Sequence, residues 1–484
     1  MQIGLSGFKT HPWISVSRTI EFYKSCLSNV YELFHVDTDD QHFLNYEMEA
    51  LICIDDEKCW DFDKHPDYPI LYVMNGGVVL DQDHLYSCLN QVESTDVLIV
   101  NCKSDVLILR NMFGEVCPEI QMLPLPVNTC QFRPMNKLNC RTKLPLEGVD
   151  FVLGFVGRLL PQKNLHIFLR MIHEIKKAVF PKKIAALING KFWMDYPILP
   201  YVTSEYPENI KKLIQELDLY DEVLYFPGGF DDEELVIFYN SLDLLVHPTN
   251  YIDENFGYAP VKAMACGVPV IGAAYGGLKD TVLSNSTGFL MDTWVTEGGI
   301  RMNVASGINM ALKLLGNKDL YEEFSQNAIR HVRKNFSSEN CSDILVNIVK
   351  NCIENKARCS PKKVILKPRK TVNASINYLP STEKAWDSYK EVVSYYTSIS
   401  NRLICKSDYV QTARPLKINK DSCILRDDAW PAKYPVNDIE LKVVKKCING
   451  IKISDLIFLL NVNLEMIKNM VNIGLLNVYG KSHE

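Results

Sequence analysis

The chain has 484 residues, of which 47% are hydrophobic and 23% charged, and its 52 basic and 58 acidic side chains give a formal net charge of −6. This length predicts about three domains, and the composition excludes a disordered or fibrous chain. The mild negative charge argues against a protein that coats nucleic acid, so no nucleic-acid partner is expected.

Neither the apolar segments nor the cysteines indicate a membrane-spanning or secreted protein. No segment approaches the roughly 20 apolar residues of a membrane-spanning helix, and the start, MQIGLSGFKTHPW, lacks the pattern of a signal peptide. No two of the 15 cysteines have CxxC spacing, so we interpret them as lone, small hydrophobic residues. We therefore expect a cytoplasmic protein.

Short apolar runs alternate with helical patterns over residues 1–135. The runs are 2–6, 30–36, 48–54, 68–74, 96–102 and 119–125, and the helical patterns include 15–27 and 105–113. This alternation is typical of a parallel sheet covered by helices. It predicts an N-terminal Rossmann-like domain over residues 1–135.

A second series of the same kind follows the loop 135–148. Its strand candidates are 151–157, 183–190, 222–228, 242–248 and 268–273, and a helical pattern runs from 303 to 356. We predict a second Rossmann-like domain over residues 149–356. Ligands in such folds bind beyond the carboxyl ends of the strands, so two domains in tandem favour a nucleotide-type ligand in a cleft.

The composition changes after the second series. Residues 356–370 carry seven positive charges and no acid, and we predict a basic linker over residues 357–379. Such a run is most often solvated, but it leaves open a contact with phosphates or a peripheral contact with a membrane.

Residues 380–484 are predicted to form a separate, mainly α extension with a winged-helix-like end over about 437–480. Ser454 is expected to cap a helix that runs through Leu460, and a second helix spans 464–472. That second helix contains a single lysine, so a peptide or protein partner, or docking onto the chain itself, is a better interpretation than DNA binding.

The segment GFVGRLLPQKNL, residues 154–165, offers groups that suit phosphate. Gly157 allows close approach of the backbone, Arg158 presents a planar fork of donors, and Lys163 lies near the start of a predicted helix. These groups predict a diphosphate clamp, although surface Arg and Lys beside a strand-to-helix turn would give the same pattern.

A second segment, residues 247–282, adds acceptors and exposed amides. Glu254 precedes a glycine loop, and a helix is predicted over about 259–266. The amides of Phe256 and Gly257 can approach phosphate or sugar oxygens, and Glu254 can accept hydrogen bonds from hydroxyls. This combination favours a sugar nucleotide.

The two segments resemble the retaining glycosyltransferases of the GT-B fold, family 4 type, also described as glycosyl transferases group 1. The similarity runs from about Asp96 to Glu354 and is most specific in GRLLPQKN, EELVIFYNSLDLLVHP and ENFGYAPVKAMACGVPVIG. It implies an α/β fold of two Rossmann-like domains facing a cleft. The implied enzyme, of hexosyltransferase type, moves a sugar from a nucleotide diphosphate sugar to an acceptor hydroxyl with retention of configuration.

The resemblance also implies partners and residue roles. No cofactor or metal is expected, and the acceptor is a glycan, a lipid-linked sugar, a peptide or a small molecule. Arg158 and Lys163 hold the donor diphosphate, and Glu254 contacts the donor sugar. The other implied donor-binding residues are Gly157, Gly228, Gly229, Phe230, Asn255, Phe256, Gly257, Tyr258 and Lys262, with the base held by the loop 228–230.

Two departures from the family are visible. Lys262 stands where the family has a second glutamate that pairs with ribose hydroxyls, and a lysine offers donors but no acceptor. The N-terminal domain lacks the family's glycine-rich acceptor loop and central histidine, and Asn75-Gly76-Gly77 occupies the corresponding stretch. The acceptor-site candidates are Ser6, Gly7, His11, Asn75 and Gly76.

Several alternatives stay open at this point. A catalytically silent scaffold is favoured by Lys262 and disfavoured by the intact clamp, and an epimerase or phosphorylase can share the fold. Asp61-Phe62-Asp63 copies a metal-binding aspartate pair of another glycosyltransferase fold, but it stands in a polar loop and no metal is expected. His11 is also consistent with a solvent-facing residue. We interpret His247 as structural and Cys266 as part of the core.

Overall fold

The computed structural model describes the chain except for residues 7–13, 40, 61, 63, 80–84, 88–90, 194–205, 252–253, 297–298, 368–391, 399–403, 413–415, 426–432, 473–474 and 480–484. The described chain divides into two compact units that interleave along the sequence. The first comprises Met1–Thr129, Ile252–Tyr258 and His331–Lys370, and the second comprises Cys130–Tyr251, Ala259–Arg330 and Thr371–Glu484.

A six-stranded parallel sheet forms the centre of the first unit. Its strands are β1 Gln2–Leu5, β2 Glu32–His35, β3 Ala50–Ile54, β4 Ile70–Val73, β5 Val97–Val100 and β6 Glu119–Met122. They lie in the order β2-β1-β3-β4-β5-β6. Every residue of β3, β4 and β5 is buried, as expected for strands covered on both faces. The six predicted runs are confirmed as strands.

The second unit contains another six-stranded parallel sheet. Its strands are β7 Phe151–Val156, β8 Ile184–Asn189, β9 Val223–Phe226, β10 Leu244–His247, β11 Val270–Ala273 and β12 Gly288–Met291. Their order is β12-β11-β10-β7-β8-β9. The first five coincide with predicted strands, and β12 was not predicted. The expected α/β class with two Rossmann-like sheets is therefore confirmed.

Helices connect the strands and continue after the second sheet. They are α1 Ile14–Leu27, α2 Lys103–Met112, α3 Lys137–Arg141, α4 Leu165–Val179, α5 Tyr206–Glu216, α6 Asp232–Ser241, α7 Tyr258–Ala265, α8 Leu278–Thr281, α9 Val304–Gly316, α10 Lys318–Asn335, α11 Ser338–Arg358, α12 Asp438–Lys446, α13 Ile453–Leu460 and α14 Leu464–Asn472. Among the described residues, no helix is both long and apolar enough to cross a membrane.

The core of the first unit is completed by a helix from much later in the chain. Cys341, Leu345 and Val349 of α11 are buried in one cluster with Tyr23 and Leu27 of α1. Burying the side chains of Leu27, Leu345 and Val349 contributes roughly 1.5–3 kcal/mol each relative to exposure. The first sheet therefore depends on α11 for cover.

In the second unit, one carboxylate anchors the segment that precedes β7. Asp243 Oδ1 accepts a hydrogen bond from Lys137 Nζ at 2.9 Å. Asp243 Oδ2 accepts from Arg141 Nη2 at 2.6 Å and from the backbone N of Val152 at 2.7 Å. Because charge-assisted hydrogen bonds are the stronger kind, Asp243 fixes α3 against the start of β7.

Small antiparallel elements follow the second sheet. The strands β13 Thr293–Thr296 and β14 Gly299–Met302 pair with each other. Near the C-terminus lie β15 Tyr409–Thr412, β16 Leu416–Ile418, β17 Ser422–Leu425, β18 Lys433–Pro435, β19 Ile451–Lys452 and β20 Leu476–Tyr479. They form two three-stranded sheets, β19-β15-β20 and β16-β17-β18. Buried residues of α12, α13 and α14 share one core with β15 and β20.

The predicted N-cap of α13 is wrong, because the helix begins two residues earlier than a cap at Ser454 requires. The helix begins at Ile453, and Ser454 lies inside it, where its Oγ donates to Asp455 Oδ1 at 3.1 Å. The backbone N–H groups of Ile453 and Ser454 donate to carbonyls of Asp408 and Lys406 at 2.9 and 3.0 Å. Because tertiary contacts satisfy these helix N–H groups, no side-chain cap is needed.

Part of the predicted basic linker belongs to the first unit. Ser94 N donates to Lys362 O at 2.8 Å, and Gly114 N donates to Ile365 O at 2.7 Å. Lys367 N donates to Met112 O at 2.9 Å. The backbone of residues 362–367 is thus held by protein groups, while the side chains of Lys362, Lys363 and Lys367 are exposed.

A buried histidine in the first unit makes its stability sensitive to pH. The His65 side chain is 7% exposed, and Nε2 lies 2.9 Å from Asp96 Oδ2. Burial alone lowers the pKa of His65, but the hydrogen bond and charge of Asp96, the Pro66 carbonyl and Glu93 outweigh it and raise the pKa above its ordinary value. Protonated His65 therefore stabilises the folded state.

We predict that this stabilisation is complete below the unfolded pKa of about 6.5 and is lost as the pH rises through the raised folded value. Thermal unfolding between pH 5.5 and 9 checks this in the wild type and in His65→Asn. The difference in stability between the two proteins should shrink as the pH rises. A constant difference over the whole range would contradict the assignment.

Candidate functional site

The second sheet reverses its strand order between β7 and β10. From β7 the chain proceeds to β8 and β9 on one side, whereas β10, β11 and β12 lie on the other side. Ligands of open α/β sheets bind outside the carboxyl ends of the strands at such a switch point. The loops that follow β7 and β10 are therefore the expected ligand-binding loops, and the first of them carries Arg158 and Lys163.

Asn164 joins these two loops. Its backbone is left-handed, with φ of 59°, a conformation that asparagine tolerates better than most residues. Asn164 Nδ2 donates to Pro248 O at 2.7 Å and to Asn250 Oδ1 at 3.0 Å. In return, Asn250 N donates to Gln162 O at 3.0 Å. These hydrogen bonds thus hold the loops after β7 and β10 together.

Two cations lie against one aromatic ring in this region. The Arg158 guanidinium carbon lies 5.3 Å from the ring centroid of Tyr251, and Lys163 Nζ lies 4.4 Å from it. Arg158 is also 5.9 Å from the ring of Trp193. The negative face of an aromatic ring attracts cations. The ring of Tyr251, which is 1% exposed, therefore stabilises the two positive groups next to each other. Such a pair suits a ligand with two anionic groups.

Two glycines allow the loops after β7 and β8 to touch. Gly157 N donates to Asn189 O at 3.1 Å. A Cβ atom on Gly190 would lie 1.8 Å from Gly157 O, and Gly190 has φ of 156°. Only glycine fits at position 190. Sequence reasoning singled out Gly157 and missed Gly190, although a glycine directly after a buried strand was a usable signal.

The predicted base-binding loop follows β9. Gly228 and Gly229 are exposed, and no heavy atom lies within 4 Å of a Cβ built on either. The Phe230 ring packs on Phe226 with centroids 4.8 Å apart. Asp231 then caps α6 by accepting from Glu233 N and Glu234 N, both at 2.9 Å. The loop is therefore exposed to solvent, and the Asp231 cap fixes its C-terminal end at the start of α6.

Lys262 makes an ion pair that the sequence did not predict. Its Nζ lies 2.8 Å from Asp232 Oδ1 and 4.4 Å from the ring centroid of Phe132. The Lys262 side chain is 9% exposed, and that of Asp232 is 29% exposed. A buried ammonium needs a paired charge, which Asp232 supplies.

The predicted residues Glu254 to Tyr258 belong to the first unit. Glu254 and Asn255 are buried, and Asn255 Nδ2 donates to Asn75 O at 3.2 Å. Phe256 packs edge-on against Tyr258, with centroids 5.3 Å apart. Gly257 has φ of 88°, which glycine adopts readily. Asn255 and Asn75, predicted for donor and acceptor respectively, are therefore in contact.

The remaining acceptor candidates lie at the carboxyl ends of strands in the first unit where they are described. Ser6 follows β1 and is buried, and Asn75 and Gly76 follow β4. Asn75 N donates to Asp55 Oδ1 at 2.8 Å, and Thr19 Oγ1 donates to Asn75 Oδ1 at 2.8 Å. Gly7 and His11 lie outside the described residues.

Other residues singled out from the sequence have structural environments. His247 is buried, as expected for a structural residue. Cys266 is also buried, and burial raises the pKa of its thiol to about 12, which fits a core residue. Phe62 is buried, while Asp61 and Asp63 lie outside the described residues. Within the described part of the chain, no group of three or more His, Cys, Asp or Glu side chains could hold a metal ion.

Part of the sequence matches a known enzyme family. Residues 137–331 match the family Glycosyl transferases group 1. The D-inositol 3-phosphate glycosyltransferase of Segniliparus rotundus is 28% identical over 206 residues, 43% of this chain and 43% of its own. That of Mycolicibacterium vanbaalenii is 30% identical over 204 residues, 42% of this chain and 43% of its own. The matched region thus spans less than half the length of these curated relatives.

Solved structures define the fold class. Sucrose-phosphate synthase of Thermosynechococcus elongatus has a TM-score of 0.55 and 17% identity, and covers 73% of this chain and 99% of its own. Anabaena HepE in complex with UDP and glucose has a TM-score of 0.53 and 17% identity, and covers 72% of this chain and 100% of its own. These likenesses, with the two parallel sheets, show the α/β GT-B fold.

We predict that Gly190→Ala lowers the free energy of unfolding by more than about 2 kcal/mol, because the added methyl group overlaps Gly157 O. Gly228→Ala is the matched control, because its Cβ would meet no atom within 4 Å. The control should change stability by no more than about 0.5 kcal/mol. Chemical denaturation of the two variants measures both values, and equal losses would show that the contact is not restrictive.

Proposed function

We propose that the protein is a group 1 glycosyltransferase of the family 4 type that transfers a sugar from a nucleoside diphosphate sugar to an acceptor hydroxyl with retention of configuration. The observation that carries the proposal is the pair of cations, Arg158 and Lys163, held against Tyr251 at the strand-order switch point. The family match over residues 137–331 supports it. The complex of HepE with UDP supports a uridine nucleotide as a donor to test first.

The proposed chemistry needs no protein nucleophile. The bond between the anomeric carbon and the diphosphate oxygen breaks with its electron pair remaining on the diphosphate. Arg158 and Lys163 stabilise the growing negative charge. The acceptor hydroxyl forms the new bond on the same face of the sugar, and a departing phosphate oxygen takes its proton. Positioning and electrostatics supply most of the rate.

Further residues of each unit have roles that the resemblance implies. Glu254 accepts hydrogen bonds from donor-sugar hydroxyls, and the loop Gly228–Phe230 lies beside the base. In the first unit, Ser6, Asn75 and Gly76 contribute to acceptor binding. The proposed acceptor is a glycan, a lipid-linked sugar, a peptide or a small molecule, as the sequence analysis predicts.

Two regions outside the clamp have proposed roles in association. Lys362, Lys363 and Lys367 are exposed on a backbone held by the first unit, which suits contact with an anionic membrane surface. The helices α13 and α14, with the β15–β20 pairing, suit a winged-helix-like module. Phe458 of α13 is 86% exposed, which supports a role of that module in binding a peptide or protein.

We predict that Arg158→Ala and Lys163→Ala each reduce turnover by at least about 100-fold, or ~2.7 kcal/mol, because each removes a charged donor from the leaving diphosphate. Release of nucleoside diphosphate from a panel of nucleotide sugars measures this. Lys182→Ala is the matched control, since Lys182 Nζ lies 4.9 Å from the Phe151 ring, at the amino end of β7. It should keep wild-type turnover.

The same assays separate the alternatives. A silent scaffold binds nucleotide sugars in calorimetry but releases no diphosphate, whereas an epimerase changes the sugar without transfer and a phosphorylase requires inorganic phosphate. Wild-type turnover in both Arg158→Ala and Lys163→Ala would remove the clamp from the proposal.

A further inference from the structure

The ion pair between Lys262 and Asp232 has one buried partner and one partner that reaches the surface. The Lys262 side chain is 9% exposed, whereas that of Asp232 is 29% exposed. The Phe132 ring lies 4.4 Å from Lys262 Nζ. The ammonium is therefore fixed inside the unit, and the carboxylate is the part of the pair that a ligand can reach.

Asp232 lies at the ligand-binding edge of the second sheet. It follows the exposed loop at Gly228 and Gly229, directly after the carboxyl end of β9. The clamp residues Arg158 and Lys163 follow the carboxyl end of β7 in the same parallel sheet. The carboxyl ends of parallel strands meet at one edge, so the carboxylate and the clamp share that edge.

The helix does not need Asp232 for its own cap. Asp231 is the N-cap residue of α6, and its side chain accepts from Glu233 N and Glu234 N. Glu234 completes the capping box by accepting from Asp231 N at 3.1 Å. The carboxylate of Asp232 is directed instead to Lys262, which comes 30 residues later in the chain.

A carboxylate held by an ammonium has the right chemistry for a sugar diol. It only accepts hydrogen bonds and has about four lone-pair positions, and the Asp232 side chain is 29% exposed, so a ligand can reach it beside Lys262 Nζ. A diol presents two O–H donors. Because Lys262 cancels the charge of Asp232, this acceptor can lie near a diphosphate without net repulsion. Without Lys262, the carboxylate would add a net negative charge near the diphosphate.

We propose that Asp232 accepts hydrogen bonds from the ribose hydroxyls of the nucleoside diphosphate, and that Lys262 is a positioning residue that holds and neutralises it. The inference rests on the proposed function, because it concerns the same nucleotide. It removes the apparent defect of the chain: the acceptor group that a lysine cannot offer at position 262 comes from the start of α6.

The test compares ribonucleoside diphosphates with their 2′-deoxy forms by calorimetric titration. UDP, GDP and ADP are titrated into the wild type, and the tightest binder is paired with its 2′-deoxy form. We expect the wild type to bind the ribo form at least 10-fold more tightly. Asp232→Asn should lower affinity for the ribo form about 10-fold and leave the deoxy form almost unchanged, so that the discrimination disappears.

Two further variants separate binding from general structural effects. Glu233→Gln removes an exposed carboxylate from the same helix turn and should keep the wild-type discrimination. Lys262→Met leaves Asp232 without its counter-charge and should weaken both nucleotides, by less at high salt, while Lys262→Arg should restore binding.

Each outcome bears on one of the two proposals. Equal affinity of the wild type for the ribo and deoxy forms overturns the role of Asp232 even if nucleotides bind well. Unchanged discrimination in Asp232→Asn, or equal losses for both forms, overturns it as well. If no nucleoside diphosphate binds the wild type, the proposed function fails first and this inference fails with it.

Discussion

The hydrogen bonds of the Asn164 side chain hold together the part of the second unit on which the candidate site depends. The sheet reverses its order between β7 and β10, and Asn164 connects the loops after both strands. Its carbonyl also accepts from Ile167 N and Phe168 N, which begins α4. Glycine could adopt the same backbone conformation but would lose the amide. The conformation and the side chain are needed together, so Asn164 holds the loop that carries Lys163 against the loop that carries Tyr251.

Much of the fold could be predicted from the sequence because parallel strands buried on both faces are continuous apolar runs. β3 and β8 are examples, since every residue in each is buried. β12 was missed because its four residues, two of them only partly buried, carry too short an apolar pattern. The start of α13 was misplaced because the pairing of Lys452 with Tyr409, across the small sheet, decides where the helix begins.

The candidate site could also be predicted only in part from the sequence. Arg158, Lys163 and Gly157 lie within a few residues of each other, so their pattern is visible in the sequence. Tyr251 and Asp232 were not predicted, because their contacts with the clamp and with Lys262 join distant parts of the chain. The sequence shows that Lys262 offers no acceptor, but only the fold shows that Asp232 is its counter-charge.

The interleaving of the two units sets an order for events during synthesis. The apolar face of α1 is covered by Cys341 and Leu345 of α11, which leave the ribosome more than 300 residues after Leu27. At a synthesis rate of about 5–20 residues per second, this interval lasts roughly 15 to 60 s. During that time the first sheet has an uncovered hydrophobic surface while the whole sheet of the second unit emerges. The first unit therefore cannot complete its core until α11 has left the ribosome.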